Sequence, residues 1–192
     1  MTHAPRRPKR SRAARVVLLG AAVATLAACE DDSVETSVFP DLDTCLAAAD
    51  QPDGWLTADQ CETAFAEALV AYDDQAPRYD DRALCEAEHD GECIVEERAG
   101  GGSVFLPLMT GFLIGNMLNR GGVAAQPLVK TGTGAYSTPA GATFNTNRGT
   151  GTVRETSFRS APSTKTAAPM TRATVRSTGG FGASGGSRGV GG

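Results

Sequence analysis

The chain has 192 residues, with 23 glycines, ten prolines, five cysteines and one tryptophan, and aromatic residues make up only 6% of it. So little large apolar surface excludes a single core that spans the whole length. The net charge of −4 is an average over unlike segments, because residues 29–98 hold 21 of the 22 acidic residues.

Charge divides the chain into a basic leader, an acidic module and a basic tail. Residues 1–28 carry six basic residues and no acid, residues 29–98 have a net charge of −18, and residues 99–192 have a net charge of +8. The nine basic residues of the tail are widely spaced and lack interleaved aromatic pairs, which makes a poor surface for stacking bases. No nucleic-acid partner is therefore expected.

The first 28 residues are predicted to be a lipoprotein signal peptide. A basic stretch precedes the apolar run 16–28, which reaches about 20 Å as a helix and is too short to cross a hydrocarbon core of roughly 30 Å. The sequence Leu-Ala-Ala-Cys29 resembles the lipobox of bacterial lipoproteins, in which the cysteine is acylated and becomes the first residue. Cys29 is therefore the predicted lipidation site, and the membrane is the partner reached through this anchor.

The residue after the anchor bears on localisation. In Gram-negative lipoproteins an aspartate at this position favours retention in the inner membrane, and here the residue is Glu30. The predicted localisation is the cell envelope, with the periplasmic face of the outer membrane favoured over the inner membrane.

Four further cysteines would reach an oxidising compartment with the exported chain, which predicts two disulfides. A turn rich in Asp and Gly separates Cys45 from Cys61, and Asp90-Gly91 separates Cys85 from Cys93. Among the three possible connectivities, this arrangement favours 45–61 and 85–93.

A metal site is the rival interpretation of the second pair. Cys85-x3-His89-x3-Cys93 places three candidate ligands at regular spacing. It lacks the closely spaced cysteine pairs of structural zinc sites, and the oxidising compartment favours a disulfide. No metal or cofactor is predicted, and His89 is expected to be solvated near the end of a helix.

Residues 29–98 are predicted to form a small, mostly α-helical module held by the two disulfides. The expected helices are 42–50 behind Asp41, 58–74 with a capping box formed by Thr57 and Gln60, and 81–89 capped by Asp80. Their apolar side chains are expected to pack together, namely Leu42, Leu46, Trp55, Phe65, Leu69, Tyr72 and Leu84.

Residues 99–120 are predicted to be a glycine linker followed by an apolar helix. The apolar run 104–118 is short for a membrane span. Gly111 and Gly115 would present a flat face for helix contact. The helix would cover the acidic module, insert in the membrane interface, or bind a second copy or an envelope partner.

Residues 121–192 are predicted to be a disordered basic tail, because glycine, serine and threonine dominate them and large apolar residues are few. Three contacts are open to this tail: the acidic module, anionic lipid or lipopolysaccharide, and the cell wall.

The order of these features resembles the uncharacterised YgiB-like family of bacterial lipoproteins. The resemblance rests on Leu-Ala-Ala-Cys29-Glu, Val38 through Cys45, Cys61-Glu-Thr-Ala-Phe, Ala76-Pro-Arg-Tyr79, Cys85-x7-Cys93, Phe105-Leu-Pro-Leu-Met-Thr-Gly-Phe112, Ala125-Gln-Pro-Leu128, Gly179-Gly-Phe-Gly182 and Gly191-Gly192. It implies export and a lipid anchor, and it brings no activity.

The sequence thus predicts a lipid-anchored, non-enzymatic envelope protein that is structural or binds a partner through its apolar helix. The alternative is a metal-handling or enzyme-accessory lipoprotein that uses the acidic module and His89. No catalytic residue is predicted, because no nucleophile and base are grouped in the sequence.

Overall fold

The computed structural model describes residues 33–91, 93–98, 100–117 and 122–181. These residues form a mixed α/β fold, so the prediction of a mostly α-helical protein is wrong. In chain order the elements are β1 (Ser33–Phe39), α1 (Leu42–Ala49), α2 (Ala58–Gln75), α3 (Arg82–His89), β2 (Cys93–Glu97), β3 (Ser103–Pro107), β4 (Met109–Met117), β5 (Gly122–Lys130), β6 (Tyr136–Ser137), β7 (Thr143–Phe144), β8 (Gly149–Arg154), a 3-10 helix (Glu155–Phe158) and α4 (Arg172–Thr178).

Six of the strands form one antiparallel sheet in the order β7-β6-β5-β4-β1-β8. The first strand of the described chain therefore lies between β4 and β8, and strands from the predicted tail lie at both ends of the sheet. A separate hairpin pairs β2 with β3. Tyr79 extends this hairpin by bridging Phe105 on one side and Met170 on the other.

The three predicted helices of the acidic module are confirmed to within a residue or two at each end. The side chain of Asp41 caps α1, and Thr57 and Gln60 form the capping box of α2. The cap of α3 is Asp81 rather than Asp80, because the Asp81 carboxylate accepts a hydrogen bond of 2.8 Å from the backbone N–H of Leu84. Local capping chemistry was therefore readable from the sequence.

The predicted apolar helix is wrong, because this segment forms strands β3 and β4. Gly111 and Gly115 lie in β4 and present no helix face. A Cβ on Gly111 would come within 2.6 Å of the Phe39 carbonyl oxygen, and the ring of Phe158 lies directly over Gly115. Both glycines therefore permit close packing within the sheet.

The prediction of a disordered tail is also wrong for residues 122–181, which supply four strands and α4. This basic part of the chain contacts the acidic module through ion pairs: Lys130 with Asp90, Lys165 with Asp73, and Arg172 with Asp81. Of the three contacts open to the tail, the structure shows the one with the acidic module.

The core has clusters on both faces of the six-stranded sheet. On one face Phe39, Phe112 and Ile114 pack against α1 and α2, and on the other Leu113 and Leu128 pack against aromatic rings of the tail. The single cluster expected in the acidic module is therefore divided, with Tyr72 and Leu84 in separate clusters and Leu69 exposed. In the part of the chain that the structure describes, no helix is long and apolar enough to cross a membrane.

Candidate functional site

Two disulfides hold the acidic module, and they have the connectivity that the sequence favours. Cys45 is bonded to Cys61 and Cys85 to Cys93, with Cα–Cα distances of 5.8 and 6.3 Å. The first joins α1 to α2, and the second joins α3 to β2. All four side chains are buried. The predicted lipidation site, Cys29, lies outside the described residues.

Arg78 is the most extensively bonded buried side chain of the module, with only 2% of its surface exposed. Its Nε and Nη2 donate to the two carboxylate oxygens of Glu96 at 3.0 and 2.9 Å. The remaining N–H groups donate to the carbonyl oxygens of Asp73 and Ala76 and to the hydroxyl of Thr164. All five guanidinium donors are therefore used to join the end of α2, strand β2 and the segment after β8.

Tyr79 and His89 form a second buried polar pair beside this arginine. The Nδ1 of His89 lies 2.6 Å from the Lys130 carbonyl oxygen, which can only accept, so Nδ1 carries the proton. The Nε2 then accepts from the Tyr79 hydroxyl at 2.9 Å. Burial lowers the pKa of His89 to about 4 and raises the pKa of Tyr79 well above its ordinary value.

The expectation that His89 is solvated is wrong, since only 1% of its surface is exposed. The candidate metal motif around it is not formed, because Cys85 and Cys93 are joined in a disulfide and both ring nitrogens of His89 are hydrogen-bonded. Among the described residues no group of three or more His, Cys, Asp or Glu side chains is placed to hold a metal ion.

An apolar groove of about 560 Å³ lies beside the buried arginine, and it has the size of a small-ligand site. We call it the apolar groove. Its walls are Gln75, Pro77, Arg78, residues 139–141, residues 161–164, Ala167, Ala168, Met170, Thr178, Gly180 and Phe181. The side chain of Gln75 accepts a hydrogen bond from the backbone of Ala161, and Arg78 has no free donor.

The sequence predicted the disulfide cysteines, but it predicted neither a role for the buried Arg78 nor the apolar groove. Arg78 and Tyr79 belong to the Ala-Pro-Arg-Tyr motif that follows α2. The available signal was a lone arginine next to a tyrosine within a strongly acidic segment. The groove could not be found in this way, because its walls come from residues up to 106 positions apart, Gln75 and Phe181.

Comparison with known proteins places the whole described fold in one family. The model of a family described as "Protein of unknown function (DUF1190)" matches residues 33–190. A UPF0441 protein of Pectobacterium carotovorum subsp. carotovorum (strain PC1) is 33% identical over 187 residues, which cover 89% of this chain and 80% of that protein. A UPF0441 protein of Sodalis glossinidius (strain morsitans) is 35% identical over 182 residues, which cover 89% and 81%.

The same relationship extends to a UPF0441 protein of Klebsiella pneumoniae subsp. pneumoniae, which is 28% identical over 188 residues and covers 88% of this chain and 79% of that protein. No solved structure matches the chain. These relatives confirm the resemblance to the YgiB-like proteins. The chain belongs to the DUF1190 family of proteins of unknown function.

Proposed function

We propose that this protein is an exported, lipid-anchored component of the bacterial cell envelope that binds a partner and does not catalyse a reaction. The observation that carries the proposal is the pair of buried disulfides in the module that follows Leu-Ala-Ala-Cys29. Stable disulfides form outside the reducing cytosol. Glu30 favours the outer membrane as the site of attachment.

The use of the polar side chains supports binding rather than catalysis. Arg78, Tyr79 and His89 are the buried side chains best suited to proton transfer or ligand binding. Arg78 donates to a carboxylate and to carbonyl oxygens. Tyr79 and His89 are hydrogen-bonded to each other, and His89 also donates to the Lys130 carbonyl oxygen. These hydrogen bonds hold secondary-structure elements together, which favours a structural role for these three side chains over proton transfer.

The apolar groove is the binding surface in this proposal. Proline, alanine, methionine and phenylalanine form most of its walls, and the donors of its one arginine are satisfied within the fold. Since a charged group would find no counter-charge there, the groove fits an uncharged apolar segment of an envelope protein.

The lipid anchor predicts that the full-length chain incorporates labelled palmitate in bacterial cells and fractionates with the outer membrane. Cys29→Ala should abolish the label, whereas Cys45→Ala should leave it, because Cys45 belongs to the folded module. Label that persists in Cys29→Ala would show that the anchor assignment is wrong. Gel autoradiography and density-gradient fractionation provide both measurements.

The groove predicts binding of the uncharged fluorophore N-phenyl-1-naphthylamine by the mature protein. Ala168→Phe should lower its fluorescence enhancement several-fold, because the added ring occupies the groove that Ala168 lines. Ala66→Phe, on an exposed position of α2, is the matched control and should leave the enhancement unchanged. Equal enhancement in the two variants would contradict the proposed binding surface.

A further inference from the structure

One end of the six-stranded sheet lies immediately after the predicted anchor. Ser33 opens β1 and is paired with Arg154, the last residue of β8. Strands β4 and β5 also meet at this end, where Met117 pairs with Gly122. We call it the Ser33 end of the sheet.

The distance between this end and the membrane is limited by the length of the chain. Only three residues separate Cys29 from Ser33, and four Cα–Cα steps span at most about 14 Å. This step rests on the proposed lipid anchor. With the acylated cysteine at the bilayer surface, the Ser33 end lies within about 14 Å of it, which is about twice the thickness of one headgroup layer.

Two neighbouring cavities are lined in part by residues of the Ser33 end, and they differ in polarity. One, of about 390 Å³, lies between residues 140–144 and the segment after β8, where Arg154, Arg159 and the hydroxyl residues Thr156 and Ser157 line it. The other, of about 530 Å³, is less polar: Met117, Ala124 and Phe158 line it together with the charged Glu155 and Arg159. Arg159 lines both cavities. A basic site next to an apolar one matches a phospholipid, whose phosphate adjoins its acyl chains.

Both arginines are exposed. Within the described ranges neither guanidinium forms an ion pair, whereas Lys130, Lys165 and Arg172 of the same basic segment are paired with carboxylates of the acidic module. We propose that the Ser33 end rests on the bilayer and that Arg154 and Arg159 bind the phosphate of an anionic phospholipid there.

The start of the acidic helix α1 is placed in agreement with this orientation. The helix α1 begins just beyond Phe39, at the opposite end of β1, about 20 Å from Ser33 at the usual rise of a strand. The surroundings of the two arginines are not uniformly basic, because Glu155 lines the second cavity and the three residues that precede Ser33 in the sequence are acidic. Binding must therefore depend on where the two arginines lie and not on total charge.

The test uses the mature chain with Cys29→Ala, so that no acyl chain contributes to membrane binding. Its co-sedimentation is measured with phosphatidylcholine vesicles that contain or lack phosphatidylglycerol. Each arginine near an anionic surface raises the binding constant at least about fivefold. The double variant Arg154→Gln with Arg159→Gln should therefore bind about thirtyfold more weakly. The charge-matched control, Arg148→Gln with Arg176→Gln, should change it less than about twofold. Unchanged thermal melting in both double variants shows that the fold is intact.

Dependence on phosphatidylglycerol, with selective loss in the Arg154 and Arg159 variant, supports the proposal. Equal loss in the two double variants would show a general charge effect and overturn the proposal. The proposal is also overturned if the Cys29→Ala chain that keeps both arginines does not bind the vesicles. Because the tested chain carries no lipid, palmitate labelling of Cys29 is unaffected by these outcomes. A failure here therefore leaves the proposed anchor standing.

Discussion

Arg78→Met should lower the free energy of unfolding by about 3–5 kcal/mol, because several acceptors around this buried side chain lose a donor at about 1–3 kcal/mol each. Methionine keeps an unbranched apolar stem but provides none of the five donors of arginine. It removes the hydrogen bonds that Arg78 donates to the Glu96 carboxylate and to the Asp73 carbonyl oxygen, and the Ala76 carbonyl oxygen keeps only the one from Thr164. Chemical denaturation followed by circular dichroism measures the change.

Arg172→Met is the matched control for this experiment. Arg172 also faces a carboxylate, that of Asp81, but its side chain is 66% exposed and the ion pair is 3.4 Å long. An exposed pair of this kind contributes at most about 1 kcal/mol. Equal destabilisation by the two substitutions would contradict the role of Arg78 as the buried link between α2, β2 and the segment after β8.

The helices of the acidic module were predictable because their signals are local. A capping side chain lies three residues from the N–H group that it accepts from, as with Thr57 and Gln60. The disulfide connectivity was readable for a similar reason, since each bond closes a short loop of 16 or 8 residues. In both cases the interacting residues are close in the sequence.

The strands were not predictable because their signals are not local. In β4 the residues Phe112, Leu113 and Ile114 are all buried, and they face alternate sides of the sheet. A strand covered on both faces shows no alternation of apolar and polar residues, so a continuous apolar run is also compatible with a helix. The partners that cover one face, such as Phe158, come from a segment whose composition indicates disorder.

The buried polar groups explain why the basic segment folds despite its composition. Thr164 accepts from Arg78 and its backbone N–H donates to the Asp74 carbonyl oxygen, while the carbonyl oxygen of Lys130 accepts from His89. Such contacts join the glycine-rich segment to the module that the disulfides hold. Low hydrophobicity alone therefore does not decide whether a segment is ordered when a neighbouring module supplies partners.

Stability should decrease by about 3 kcal/mol as the pH falls from 6.5 to about 4, because of His89 alone. Burial lowers its pKa in the folded protein to about 4 from 6.5. In this interval the unfolded chain binds a proton that the folded protein does not, so the contribution is fully present above pH 6.5 and is lost as the pH falls towards 4. His89 is the only histidine after Cys29, which makes the assignment direct.

The test compares the pH dependence of unfolding in the mature chain and in His89→Gln. Glutamine can donate to the Lys130 carbonyl oxygen and accept from the Tyr79 hydroxyl, but it does not titrate. The variant should be less stable at pH 7, because glutamine cannot reproduce the hydrogen-bond geometry of the imidazole ring. Its stability should vary much less with pH between 4 and 6.5. The remaining slope belongs to carboxylates. An undiminished slope in His89→Gln would show that His89 is protonated in the folded protein as readily as in the unfolded chain.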